Sequence, residues 1–89
     1  MMKKILAVCG LGQGTSLILR MNIEQVLNEL GVTADVEHVD VSSASGMTSD
    51  LIVTSAELAQ SLEGHETEIA IVNNYFDLDE IRQALQNRI

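Results

Sequence analysis

The stretch Val8-Cys9-Gly10-Leu11-Gly12-Gln13-Gly14-Thr15-Ser16 ends an apolar run with a cysteine. Three glycines follow at alternate positions, and an amphipathic pattern opens at Thr15. A continuous apolar run without polar alternation, as in Ile5 to Val8, suits a strand buried on both faces, the situation of a strand inside a parallel sheet. A glycine loop between such a strand and a helix leaves backbone N–H groups free to turn toward an anion. The helix dipole adds to that preference, because the donors of the first turn have no intrahelical acceptor. A thiol at the mouth of an anion-binding loop points to phosphoryl chemistry on sulfur.

The remaining chain repeats the strand–helix theme. From Thr15, the apolar positions Leu19, Ile23, Val26, Leu27 and Leu30 recur at helical spacing, with Asn22, Gln25, Asn28 and Glu29 opposite and Gly31 as the stop. Val32 to about Val41 alternates apolar and polar residues and reads as a half-exposed edge strand, its charged face discouraging pairing with other chains. Ser42 to Ser49 reads as a small polar loop with room for one helical turn. Asp50 to Thr54 is a third strand, Thr54 and Glu57 suggest a capping box for a short helix ending before Gly64, and Ile69 to Val72 is a fourth strand. Asp77 and Glu80 cap a last helix whose inner face is Leu78, Ile81, Ala84 and Leu85.

Strands alternating with helices imply an open four-stranded parallel sheet, Rossmann-like, with helices on both faces and right-handed crossovers. The expected strand order is 2-1-3-4, with the cysteine loop after strand 1. Ligands of such sheets bind beyond the carboxyl ends of the strands, next to the point where the order switches, and strand 1 borders that point. Residues 1–89 are expected to form one domain around one core. That core is aliphatic, since the chain has one Tyr, one Phe and no Trp.

Composition narrows the chemistry. The formal net charge of −8 disfavours nucleic acid and anionic membrane surfaces as general partners. The charge is also unevenly placed: residues 1–23 hold Lys3, Lys4 and Arg20 and no acid, whereas residues 24–89 hold all 13 acids with Arg82 and Arg88. A single cysteine closes no intrachain disulfide, so an oxidising compartment is not required and a cytoplasmic location is expected. The apolar run after Lys4 is shorter than the roughly 7–15 residues of a signal-peptide core, and no stretch is long enough to span a bilayer. No cofactor or metal is expected, and His38 and His65 read as ordinary surface or loop histidines without ligand company.

Cys9 alone could be an inert buried thiol, but a helix N-terminus favours the reactive thiolate. The two later helices begin with their own carboxylates, Glu57 in one and Asp77, Asp79 and Glu80 in the other, while the first turn from Thr15 to Leu19 has none. Its positive end is left for an anion from elsewhere, with Thr15 or Ser16 also able to cap it. A Walker A loop would need a Gly-Lys-Ser/Thr sequence, and there is no lysine after Lys4. Glycines at 10, 12 and 14 do not make the Gly-x-Gly-x-x-Gly dinucleotide fingerprint. A cysteine-phosphatase loop would place arginine at position 15, where this chain has Thr15, and the next arginine is Arg20. Without a guanidinium clamp the loop suits holding a phosphoryl group more than driving it onto water. Arg20 fits an ion pair with Glu24 one helical turn on. Thr54, Ser55, Asn73 and Asn74 follow strands 3 and 4 and could border a phosphate or serve as turn and cap residues.

The residues from Lys3 to about Leu30, with Cys9-Gly10-Leu11-Gly12-Gln13-Gly14-Thr15-Ser16 at their centre, resemble the enzyme IIB component of the bacterial phosphoenolpyruvate-dependent sugar phosphotransferase system, particularly its ascorbate and galactitol group. The resemblance implies a cytoplasmic α/β phosphocarrier. Its cysteine, here Cys9, takes a phosphoryl group from a phosphohistidine on a IIA partner and passes it to a sugar held by a membrane IIC partner. Residues Gly10, Leu11, Gly12, Gln13, Gly14, Thr15 and Ser16 would cradle the phosphate. Two other readings remain: a stand-alone low-molecular-weight cysteine phosphatase, and a regulatory module that binds an anion without covalent chemistry.

Overall fold

The computed structural model describes residues 3–9, 15–44, 46–62, 67–86 and 88, with residues 15 and 16 described by their backbone only. The elements are β1 (Lys3–Cys9), α1 (Thr15–Leu30), β2 (Ala34–Asp40), α2 (Val41–Ala44), β3 (Leu51–Thr54), α3 (Ala56–Ser61), β4 (Glu68–Ile71) and α4 (Leu78–Gln86). All pairings are parallel and the strand order is β2-β1-β3-β4, the order expected from the sequence. β1 is thus central, flanked by β2 in the register Ile5↔Val36 and by β3 in the register Ile5↔Leu51.

Alternation along the strands sorts the core into two layers, one on each face of the sheet. Ile5, Ala7, Leu51, Val53 and Ala70 pack with Leu19, Ile23, Val26 and Leu27 of α1 and with Ile81 and Leu85 of α4. Leu6, Val8 and Ile52 face the other way, onto Ala44 and Leu62. β1 is buried on both sides from Ile5 onward, which explains its unbroken apolar sequence.

α1 ends as the Gly31 stop predicts. Gly31 has φ +72°, its N–H donates to the Asn28 carbonyl at 3.2 Å, and the Val32 N–H donates to the Leu27 carbonyl at 2.9 Å. This is a Schellman motif, and Val32 packs against the same core layer as Leu27. Val32 is occupied in that motif, so β2 starts later than its alternation suggests, at Ala34.

Other boundaries differ from the sequence expectation for equally local reasons. β2 stops at Asp40 because its carboxylate accepts the Ser43 N–H at 2.7 Å and turns the chain into α2, the single helical turn allowed for in this connection. That bond holds the Asp40 carboxyl below its ordinary range. Asp50 sits beside Lys4 rather than in β3, its carboxylate accepting the Lys4 N–H at 2.7 Å. β4 is shifted one residue toward the N-terminus, although the Val72 N–H still reaches the Thr54 carbonyl at 2.8 Å.

The capping box expected at Thr54 and Glu57 is displaced by one residue. Ser55 is the N-cap of α3, its hydroxyl accepting the Leu58 N–H at 3.3 Å. Thr54 is instead the last residue of β3, fully buried, and its hydroxyl donates to the Val8 carbonyl at 3.0 Å. A buried hydroxyl needs an acceptor for its proton, and the Val8 carbonyl of the neighbouring strand supplies it, whereas the first turn of a helix offers only N–H donors. At α4 the Asp77 carboxylate does cap, accepting the Asp79 and Glu80 N–H groups at 3.0 and 3.2 Å. Glu80 does not return the bond to Asp77; it accepts the Asn73 and Asn74 N–H groups at 2.8 and 3.0 Å.

Candidate functional site

Cys9 terminates the central strand at the carboxyl edge of the sheet and is 3% exposed. Its backbone neighbour in β2 is Asp40. Gly10, Leu11, Gly12, Gln13 and Gly14 lie outside the described residues, as do the side chains of Thr15 and Ser16. Beyond them α1 starts at Thr15 with no acid in its first turn, whereas α3 has Glu57 there and α4 has Asp79 and Glu80. The long helix after the cysteine thus opens toward the sheet edge without a carboxylate of its own to neutralise its dipole.

The floor of the site is the Val8 carbonyl, one residue before the thiol. Two hydroxyls converge on it: Thr54 Oγ1 at 3.0 Å from β3, and the Tyr75 hydroxyl at 3.4 Å from the loop after β4. The Tyr75 hydroxyl also has Ser55 and Cys9 as hydrogen-bonding neighbours. Burial pushes its phenol above the ordinary range; a Ser55 hydrogen bond pulls the other way, and the Cys9 thiol adds to the rise.

Tyr75 is held from three sides. The Asn22 side-chain amide of α1 donates to the Tyr75 carbonyl at 2.7 Å, Glu80 grips the amides of Asn73 and Asn74, and Asn74 Oδ1 accepts the Phe76 N–H at 3.0 Å. Its ring packs against the α1–α4 core layer. Sequence reasoning passed over Tyr75. The available signal was that the chain's one tyrosine stands shortly after a strand end, on the edge where parallel sheets place their sites.

Other residues singled out in the sequence separate clearly. Thr54 and Ser55 are at the site, as a brace under Val8 and as the α3 cap beside the phenol. Asn73 and Asn74 are exposed and act through their backbone amides, with Asn74 also closing the turn. Arg20 makes the expected pair with Glu24 at 3.6 Å and also donates to His38 Nδ1 at 3.2 Å, so His38 joins β2 to α1 at the surface. His65 lies outside the described residues. Among the described residues no group of His, Cys, Asp and Glu could hold a metal ion, and no helix is long and apolar enough to cross a membrane. Leu17 and Met21 on α1 and Phe76 beside Tyr75 leave apolar side chains exposed, Phe76 by 67%.

A switch in strand order at β1, with a buried thiol at that strand's carboxyl end and hydroxyls gathered beneath it, defines an open α/β domain with its cysteine at the edge where such sheets bind ligands. The family model described as "PTS system, Lactose/Cellobiose specific IIB subunit" matches residues 4–87, and the chain belongs to this family. It is therefore a phosphotransferase, a phosphoryl relay of a sugar phosphotransferase system. The chain is 37% identical over 84 residues to the ascorbate-specific PTS system EIIB component of Mycoplasma pneumoniae, covering 91% of this chain and 88% of that protein. It is 38% identical over 58 residues to the protein of the same description from Shigella sonnei, covering 63% of this chain and 57% of that protein. The solved lactose-specific IIB component domain from Streptococcus pneumoniae shares the fold, with TM-score 0.63 and 22% identity over 98% of this chain and 94% of that one.

Proposed function

We propose that Cys9 is the phosphorylated atom of this relay, that residues Gly10 to Ser16 cradle the phosphoryl group, and that the substrate is ascorbate. The observation that carries the reading is the placement of Cys9 at the end of β1, an inner strand of the sheet, with the next element a helix whose first turn has no acid. In the first half-reaction the N–P bond of a phosphohistidine on a IIA partner breaks while the Cys9 sulfur bonds to phosphorus. In the second, the S–P bond breaks, its electron pair returns to sulfur, and the phosphoryl group passes to a hydroxyl of the substrate held by a membrane IIC partner. Backbone donors and a helix dipole stabilise the intermediate without an arginine to direct it onto water.

The two partners and a cytoplasmic setting follow from this role. The exposed apolar side chains of Leu17 and Met21, with Phe76 on the loop tied to α1 through Asn22, suit docking of a protein. Ascorbate is preferred over galactitol because the relatives named above are described as ascorbate-specific. Neither the phosphatase nor the non-covalent anion-binding reading gains support from the family match.

The test is labelled transfer from phosphoenolpyruvate through the general phosphotransferase proteins and the cognate IIA. Label is expected on Cys9, absent in Cys9→Ala, and trapped as a poorly transferable ester, if formed at all, in Cys9→Ser. Undiminished labelling of Cys9→Ala would remove the thiol from the mechanism. Phosphorylation of galactitol but not ascorbate by the complete system would overturn the substrate assignment.

A further inference from the structure

The Tyr75 hydroxyl has a placement that packing alone does not require. Ring packing would be served by phenylalanine, yet the chain places its one tyrosine here, with its oxygen among Cys9, Thr54 and Ser55 and its backbone fixed from α1 and α4. A phenol has one proton to donate. In the structure that proton is directed at the Val8 carbonyl over 3.4 Å, a long separation for O–H···O, while Thr54 already serves the same oxygen at 3.0 Å. The Tyr75 bond can therefore be given up without leaving Val8 unserved by a side chain.

We propose that Tyr75 is a catalytic residue of the relay, whose O–H turns from the Val8 carbonyl to the Cys9 sulfur whenever that sulfur carries negative charge. The proposal rests on Cys9 being the phosphorylated atom. As the phosphoryl group leaves, the S–P bond breaks with its electron pair on sulfur, phosphorus bonds to the acceptor hydroxyl oxygen, and the hydroxyl proton goes to a carboxylate or imidazole base beside the acceptor. Tyr75 transfers no proton; it supplies a charge-assisted hydrogen bond, roughly twice as strong as the neutral one it replaces. The phosphorylated sulfur is uncharged, so this bond forms only with the thiolate that attacks and the thiolate that leaves. Burial of the phenol keeps it in the neutral form that can donate.

The test uses Tyr75→Phe in the full chain, with folding checked by its melting transition. Two rates are read: alkylation of Cys9 by iodoacetamide at neutral pH without partners, and release of label from phosphorylated protein to the acceptor. Both are expected to fall about three- to tenfold: release because the departing thiolate loses a charge-assisted hydrogen bond, and alkylation because the smaller thiolate population is only partly offset by the greater nucleophilicity of an unbonded sulfur. The single tyrosine also allows 3-fluorotyrosine to be placed at this position alone; its stronger donor should accelerate alkylation, which keeps the proposal testable if the phenylalanine variant unfolds. Unchanged rates in folded Tyr75→Phe, with Cys9 still labelled, would overturn the role of Tyr75. Failure of the unsubstituted chain to label at Cys9 would overturn the nucleophile assignment and this proposal with it, an outcome told apart by mapping the labelled residue.

Discussion

Thr54→Val exchanges a hydroxyl for a methyl group of similar size at a site with 0% exposure. It removes the 3.0 Å hydrogen bond to the Val8 carbonyl, an interaction of a kind worth about 1 kcal/mol net. The Tyr75 bond to the same oxygen is 3.4 Å long, so Tyr75→Phe should lower stability by no more than about 0.5 kcal/mol. The double variant takes both side-chain donors from one buried carbonyl, and an acceptor left short in this way costs about 1–3 kcal/mol. The double loss should therefore reach about 2–3 kcal/mol, exceeding the sum of the single losses by about 0.5–1.5 kcal/mol. Urea unfolding of the four proteins gives the cycle directly. At about 4–8 °C per kcal/mol for a domain of this size, the double variant should melt about 10–20 °C lower than the unsubstituted chain. Additivity within about 0.3 kcal/mol would refute the shared-acceptor geometry and the reasoning built on it.

Two further outcomes test the frame around the site. Gly31→Ala should destabilise by about 1–2 kcal/mol in urea unfolding, entirely through backbone strain, because φ is +72° and a Cβ there would have no atom within 4 Å. Glu29→Gln should flatten the acid limb of a stability-versus-pH curve. The Arg82 hydrogen bond, the largest influence, holds the Glu29 carboxyl below its ordinary 4.5. Its contribution is therefore complete above that value and lost as pH falls through the lowered folded one. A variant with the same acid limb in thermal melts would show that the α1–α4 pair contributes nothing.

Element type was legible because it depends on periodicity, which operates within a few residues, and strand order because alternating strands and helices with right-handed crossovers leave few arrangements of a parallel sheet. The unbroken apolar run of β1 follows from burial on both faces, and the stripe from Leu19 to Leu30 with Gly31 behind it predicts both the buried face and the stop of α1. Boundaries were less legible where a side chain replaces a ladder bond, as Asp50 does against Lys4 and Asp40 against Ser43. Thr54 illustrates the limit best. Its spacing to Glu57 satisfies a local capping rule, but the acceptor that holds its hydroxyl is 46 residues away in sequence. Tyr75 meets Val8 across 67 residues, a relation no window of sequence contains. The position of Cys9 at a strand end before a helix was legible because its signal is local: an apolar run, a glycine stretch and a helical stripe in succession.

The loop carrying Tyr75 is bound to α1 by Asn22 and to α4 by Glu80. It therefore has no hinge of its own. Displacing it requires the first turn of α4 to release two amides and α1 to release a carbonyl, which moves its opening from fast loop fluctuation to slower cooperative exchange. The Tyr75 hydroxyl therefore keeps its station against the Val8 carbonyl unless α1 and α4 yield together.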